Sequence, residues 1–242
     1  MTTSTSPFAD RADDRDTAPQ FVLPLVIRVE RDEPPTHTDA LETAARAVLT
    51  LLSDPRTTDP AGEWFELVEA WQDARIRKVV RRARGGEWRK AETLPGITVT
   101  GTSAEVRVFP PVPLDGWPKE LAKLQVSGLE LTDPADGAPE RPALGTPVLW
   151  FNPEVTMSTG KSMAQAGHGA QLGWWSLTPE QQAEWREAGF PLTVRTATAA
   201  QWAVLADSPL PMVRDAGFTE VAPGSCTVIA DLRAVAGRSD VN

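Results

Sequence analysis

The chain has 242 residues, 24 of them Lys or Arg against 33 Asp or Glu, giving a formal charge of −9 with 41% hydrophobic residues. That length suits one large domain or two of about 100–150 residues, and the acidic balance excludes a protein that coats nucleic acid through its overall field. One cysteine, Cys226, excludes an internal disulfide, and two histidines, His37 and His168, are too few for a zinc-ligand set, so neither metal nor cofactor is expected.

Residues 1–20, rich in Ser, Thr and Asp, predict a disordered tail without the basic start and apolar centre of a secretory signal. FVLPLVIRVE (21–30) predicts a buried strand, and its apolar run falls far below the ~20 residues needed to cross a bilayer. The expectation is a cytoplasmic protein with no membrane partner. HTDALETAARAVLTLLSD (37–54) and GEWFELVEAWQDA (62–74) predict helices, the second with Trp64, Leu67, Val68 and Trp71 on one stripe. RIRKVVRRARGGEWRK (75–90) holds eight of the 24 basic residues and one acid, Glu87, around a β-branched centre that reads as a strand. It is either a solvated edge or a phosphate-facing surface. ITVTGTSAEVRVF (97–109) predicts two short strands, and WPKELAKLQV (117–126) a helix with proline in its first turn.

TDPADGAPERPALGTP (132–147) interrupts the pattern, and a linker over 132–146 is expected there. After it the order recurs. PVLWFN (147–152) reads as a strand, GKSMAQAGHGAQLGWW (160–175) and TPEQQAEWREAG (178–189) as helices, and PLTVRTA (191–197) as a strand. A helix TAAQWAVLADS (198–208) then precedes paired strands FTEVA (218–222) and CTVIADL (226–232). An offset of 122 sets Asp39 against Lys161 and Arg46 against His168, and one of 121 sets Gly96 and Thr98 against Gly217 and Thr219. Two near-equal offsets suggest an internal duplication, 21–131 and 147–242, in which the first copy has lost the lysine–histidine pair.

GKSMAQAGHGAQ (160–171) places two ionisable side chains in a helix of small residues. Seven residues are about two helical turns, so Lys161, Gln165 and His168 form one polar stripe behind a start at Ser158, Thr159 or Gly160. Free N–H groups at such a start suit a phosphate or a developing oxyanion. Ala164, Gly167 and Ala170 would let the helix lie close on a neighbour. The plain alternative is a satisfied core histidine and a solvated first-turn lysine.

GKSMAQAGHGAQ together with VRDAGFTEVAPGSCTVIA (213–230) resembles the type-2 peptidyl-tRNA hydrolase family, in its Gly-Lys-x-x-Ala-Gln-x-x-His helix and its Asp-Ala-Gly-x-Thr-x-x-x-Pro-Gly segment. The match covers about residues 147–231. The resemblance implies an α/β fold with a small mixed four-stranded sheet between helices (three-layer α/β/α). It implies Lys161, His168, Asp215, Thr219 and Thr227 around the active site, Gly160 and Gln165 beside the substrate, and hydrolysis of the ester joining a peptide to tRNA. Asp215 would hold Lys161, either His168 or Asp215 would act on water, and Thr219 and Thr227 would position water or ribose hydroxyls. Thr159 and Phe218 stand where the family commonly has basic residues. Arg77, Lys78, Arg81 and Arg82, with Trp88 for stacking, are then the candidates to grip the RNA. Family members tend to be homodimers, and a tandem copy in place of the second subunit implies a monomeric pseudo-dimer, a homodimer being the alternative. The rival function is a non-catalytic RNA-binding or adaptor protein; a third is hydrolysis of another acyl ester or amide.

Overall fold

The computed structural model describes residues 19–135, 142, 145–217 and 219–237. The predicted tail up to residue 18, most of the predicted linker and Phe218 lie outside them.

In chain order the first half runs β1 (Phe21–Arg28), α1 (His37–Leu52), α2 (Pro55–Thr58), α3 (Phe65–Asp73), β2 (Lys78–Ala83), α4 (Gly85–Glu92), β3 (Ile97–Thr100), β4 (Glu105–Val108), β5 (Val112–Pro113) and α5 (Lys119–Ala122). The second runs β6 (Val148–Phe151), α6 (Thr159–Trp175), α7 (Pro179–Glu187), β7 (Thr193–Thr196), α8 (Ala199–Ala206), β8 (Met212–Arg214), β9 (Cys226–Asp231) and α9 (Arg233–Ala236).

The first sheet has the order β2-β1-β4-β3, with β5 also paired to β1, and the second the order β7-β6-β9-β8. In each the first strand pair is parallel and the other two antiparallel. β1 is apolar on both faces because both are covered: Leu23, Leu25 and Ile27 join the main core, while Val26 joins a second cluster with Trp88, Phe109 and Leu121.

α1 packs against α6 and also reaches β7, while α6 reaches β2, so the helix pair lies between the sheets. One core results. It includes Leu25 and Val48 from the first half with Met163, Ala166 and Val228 from the second. The glycines of α6 permit this approach: a Cβ at Gly169 would lie 2.7 Å from Val228 Cγ1, one at Gly173 2.6 Å from Leu232 Cδ1, and one at Gly167 3.0 Å from Val48 Cγ2.

Three expectations need correction. The strand paired with β9 is Met212–Arg214, not FTEVA, whose described residues lie in the loop that follows. The offset of 121 fails with it. Thr98 lies in β3, paired with Arg107, whereas Thr219 lies in the loop after β8, so that offset does not bring like elements together. The end of the basic segment folds as α4, with Trp88 3% exposed in the second core cluster, where neither ring face is open to a base.

Candidate functional site

A cleft of about 720 Å³ opens where α6 meets β2 and the segment after β8. Ser158 caps α6, its Oγ accepting from the Lys161 backbone N–H at 3.3 Å. Glu220 in turn accepts from Ser158 N–H at 2.8 Å and from Ser158 Oγ at 2.7 Å, so a carboxylate already stands at this helix start. Gly160 lines the cleft, and a Cβ there would meet only ordinary contacts, at 3.8 Å or more.

The polar stripe of α6 faces the cleft as its spacing predicts. Lys161 Nζ lies 2.5 Å from Asp215 Oδ2, and Gln165 Nε2 donates to the same oxygen at 2.6 Å. Asp215 Oδ1 accepts from Gly217 N–H at 2.8 Å. Three donors thus converge on the two oxygens of the buried Asp215, which fixes the carboxylate against Lys161.

The loop explains the motif spacing. Gly217 sits at φ 78, where a side chain is strained, and a Cβ would lie 2.4 Å from Pro223 Cγ. Gly224, at φ 80, donates its N–H to Asp215 O at 2.7 Å. Thr219 is exposed and lines the cleft. Thr227 is not. It is 0% exposed and donates to Gln165 Oε1 at 2.6 Å, so it is closed off from the expected contact with water or ribose.

His168 lines the cleft two turns beyond Lys161, and its Nδ1 lies 3.3 Å from Lys78 Nζ. Burial, then the charges of Lys78 and Lys161, hold the imidazole pKa well below its ordinary value, which leaves a neutral ring at pH 7. Lys78 reaches the site from the other half of the chain, and burial likewise pushes its pKa well below that of an ordinary lysine.

The basic segment therefore divides. Arg75, Arg77 and Lys78 line the cleft. Arg81 donates to Leu124 O at 2.6 Å and stacks 4.3 Å over Trp117, and Arg82 bonds Gln125, so both are engaged with the segment before residue 126. Sequence reasoning missed the apolar wall of the cleft. Of the four large hydrophobic side chains most exposed among the described residues, Leu114, Val126 and Trp175 line it. Clustered exposure of this kind marks a contact surface and leaves no periodic signal in a sequence.

The positions of α1 that match the stripe hold Asp39, Thr43 and Arg46. Arg46 Nη2 donates to Thr43 Oγ1 at 2.9 Å and lies 3.6 Å from Asp39 Oδ1. Asp39 also accepts N–H bonds from Thr102, Ser103 and Ala104 at 3.1, 2.6 and 2.8 Å. Burial opposes its charge, but these donors outweigh it and keep the carboxyl below its usual pKa. This network satisfies itself. A smaller cavity of about 310 Å³ adjoins it.

Comparison of the sequence with protein-family models and with curated proteins finds no match. Among the described residues no group of His, Cys, Asp and Glu is placed to hold a metal ion, and no helix is long and apolar enough to cross a membrane.

Proposed function

We propose that the chain hydrolyses the ester between a peptide, or an N-blocked aminoacyl group, and tRNA. The observation that carries this reading is the convergence of Lys161, Gln165, Asp215 and Thr219 with His168 on one cleft, from segments about 50 residues apart. Water adds to the ester carbonyl carbon as the neutral imidazole of His168 takes its proton. Lys161, held by Asp215, faces the carbonyl oxygen as it becomes anionic, with the Thr219 hydroxyl beside it. The ester C–O bond then breaks, and the proton passes to the departing ribose oxygen. The acyl part lies on the wall of Leu114, Val126 and Trp175, while Arg75 and Arg77 face the terminal phosphates.

The two halves are copies of one unit, and the first stands where a second subunit would. In support, the sheets share strand order and sense, and His37 and Thr159, 122 residues apart at the starts of α1 and α6, bond each other at 3.3 Å. The first copy has become a support: its counterpart of the polar stripe is closed on itself, and β2 lends Lys78 to the other copy's site.

The rival reading is an RNA-binding or adaptor protein without catalysis; it is favoured by the Glu220 carboxylate, which already stands at the α6 start where a developing oxyanion would be stabilised. Release of N-acetyl-aminoacyl groups from tRNA separates the two. Turnover by wild type that is lost in Lys161→Met supports hydrolysis; tRNA binding without turnover supports the rival.

A further inference from the structure

Lys78 is the one buried lysine whose side chain enters the cleft from β2, and its surroundings are unusual for a cation. Its Nζ lies 2.5 Å from Gln171 Oε1, 3.2 Å from Ile76 O and 3.3 Å from His168 Nδ1. No carboxylate bonds it among the described residues. The Ile76 carbonyl is aimed at it from a backbone at φ 28, a conformation unfavourable for a β-branched residue. Such an outlier persists only where the surroundings impose it. The missing Cβ of Gly167 makes room for the lysine stem, since one there would lie 3.2 Å from Lys78 Cδ.

Counting hydrogens on Nζ gives two states. A neutral amine has two N–H groups, which match the two carbonyl acceptors, and one lone pair, which then accepts from His168 Nδ1–H. That leaves His168 Nε2 bare, the state a general base requires. An ammonium has three N–H groups and donates to all three partners. Nδ1 is then the acceptor, and the proton of the neutral ring moves to Nε2, where the ring can only donate.

We propose that Lys78 is a positioning residue that sets the tautomer of His168: the neutral amine makes the imidazole a base toward the cleft, and protonation of the amine switches that base off. The Trp71 ring, 4.8 Å from Nζ, favours the ammonium, whereas exclusion of water disfavours it more strongly. The charged groups that share the cleft are Arg75, Arg77, Lys161, Arg214, Asp215 and Glu220. Asp215 is matched by Lys161 and Glu220 bonds Ser158, so neither compensates a charge on Lys78. The consequence for catalysis rests on the proposed ester hydrolysis; the proton coupling does not.

The test is nitrogen NMR of ¹⁵N-histidine-labelled full-length protein carrying His37→Gln, which leaves His168 as the sole imidazole, from about pH 5 to pH 10, the span of ordinary His and Lys titration. The expected result is an exchange of the protonated nitrogen from Nε2 to Nδ1 as pH rises, absent in Lys78→Met. In Gln171→Glu a carboxylate beside Nζ holds the ammonium, and the exchange moves up by about one pH unit or more. If Lys78→Met does not fold, the Gln171→Glu shift decides. A ring that keeps one tautomer throughout in the unsubstituted site, or an exchange at the same pH in Gln171→Glu, overturns the proposal. An exchange as expected in a protein that cleaves no ester supports the coupling and removes the hydrolytic reading alone.

Discussion

Thr227 donates its hydroxyl hydrogen to Gln165 Oε1 at 2.6 Å, which orients the Gln165 amide so that Nε2 points at Asp215, 2.6 Å away. A residue buried in β9 thus fixes the carboxylate that holds Lys161, without touching the cleft itself. Thr227→Val keeps the shape and removes the donor. It should cost about 1–3 kcal/mol of stability, the penalty for an unsatisfied buried acceptor, and lower kcat more than it raises KM. Steady-state kinetics beside denaturant unfolding check both, and unchanged values for the two would remove Thr227 from the site.

The glycines of α6 differ in what they do. Gly169→Ala places a Cβ against Val228 in a filled space, so it should destabilise by about 1–3 kcal/mol although alanine is the better helix former. Gly160→Ala meets only ordinary contacts and should leave the melting temperature unchanged or slightly raised. Thermal unfolding of the two variants, with opposite or unequal shifts, is the check.

Lys78 should make stability depend on pH in an uncommon direction. Its folded pKa lies well below the ordinary lysine value because of burial, so between that lowered pKa and about pH 10 the unfolded chain holds a proton that the folded one lacks. Stability then rises with pH across that window by up to about 1.4 kcal/mol per pH unit, and is lost as pH falls. Lys78→Met should lack this rise. Equal slopes for wild type and variant as pH approaches about 10 from below would show an ordinary charged lysine.

Arg77 and Arg81 are close in sequence but should respond differently. Arg77 lines the cleft, so Arg77→Ser should weaken tRNA binding and flatten its salt dependence by about one phosphate contact. Arg81 is committed to Leu124 O and the Trp117 ring, so Arg81→Ser should instead lower stability, with tRNA affinity little changed. Fluorescence titration at several salt concentrations distinguishes them.

Much of the site was legible because local rules govern it. Helical spacing alone placed Lys161, Gln165 and His168 on one face, and the run of small residues foretold the close packing that Gly167, Gly169 and Gly173 allow. Most strands along the chain followed from apolar patterning, but Val112–Pro113 and Met212–Arg214 are too short to carry an alternation signal. Tertiary context was not legible. Nothing local says that Lys78 crosses to the other half's helix, that Trp88 turns inward, or that Thr227 serves Gln165 and not the substrate. The wall of Leu114, Val126 and Trp175 likewise joins residues from both halves of the chain.

The central claim is that Lys161 and Asp215 act together on a scissile ester. It is tested most directly by release of N-acetylated aminoacyl groups from tRNA by the purified full-length chain, compared with Lys161→Met and Asp215→Asn. Turnover by wild type that falls at least about a hundredfold in each variant, as loss of an oxyanion partner does, is the predicted result. No release by wild type, or equal release by all three proteins, would contradict it.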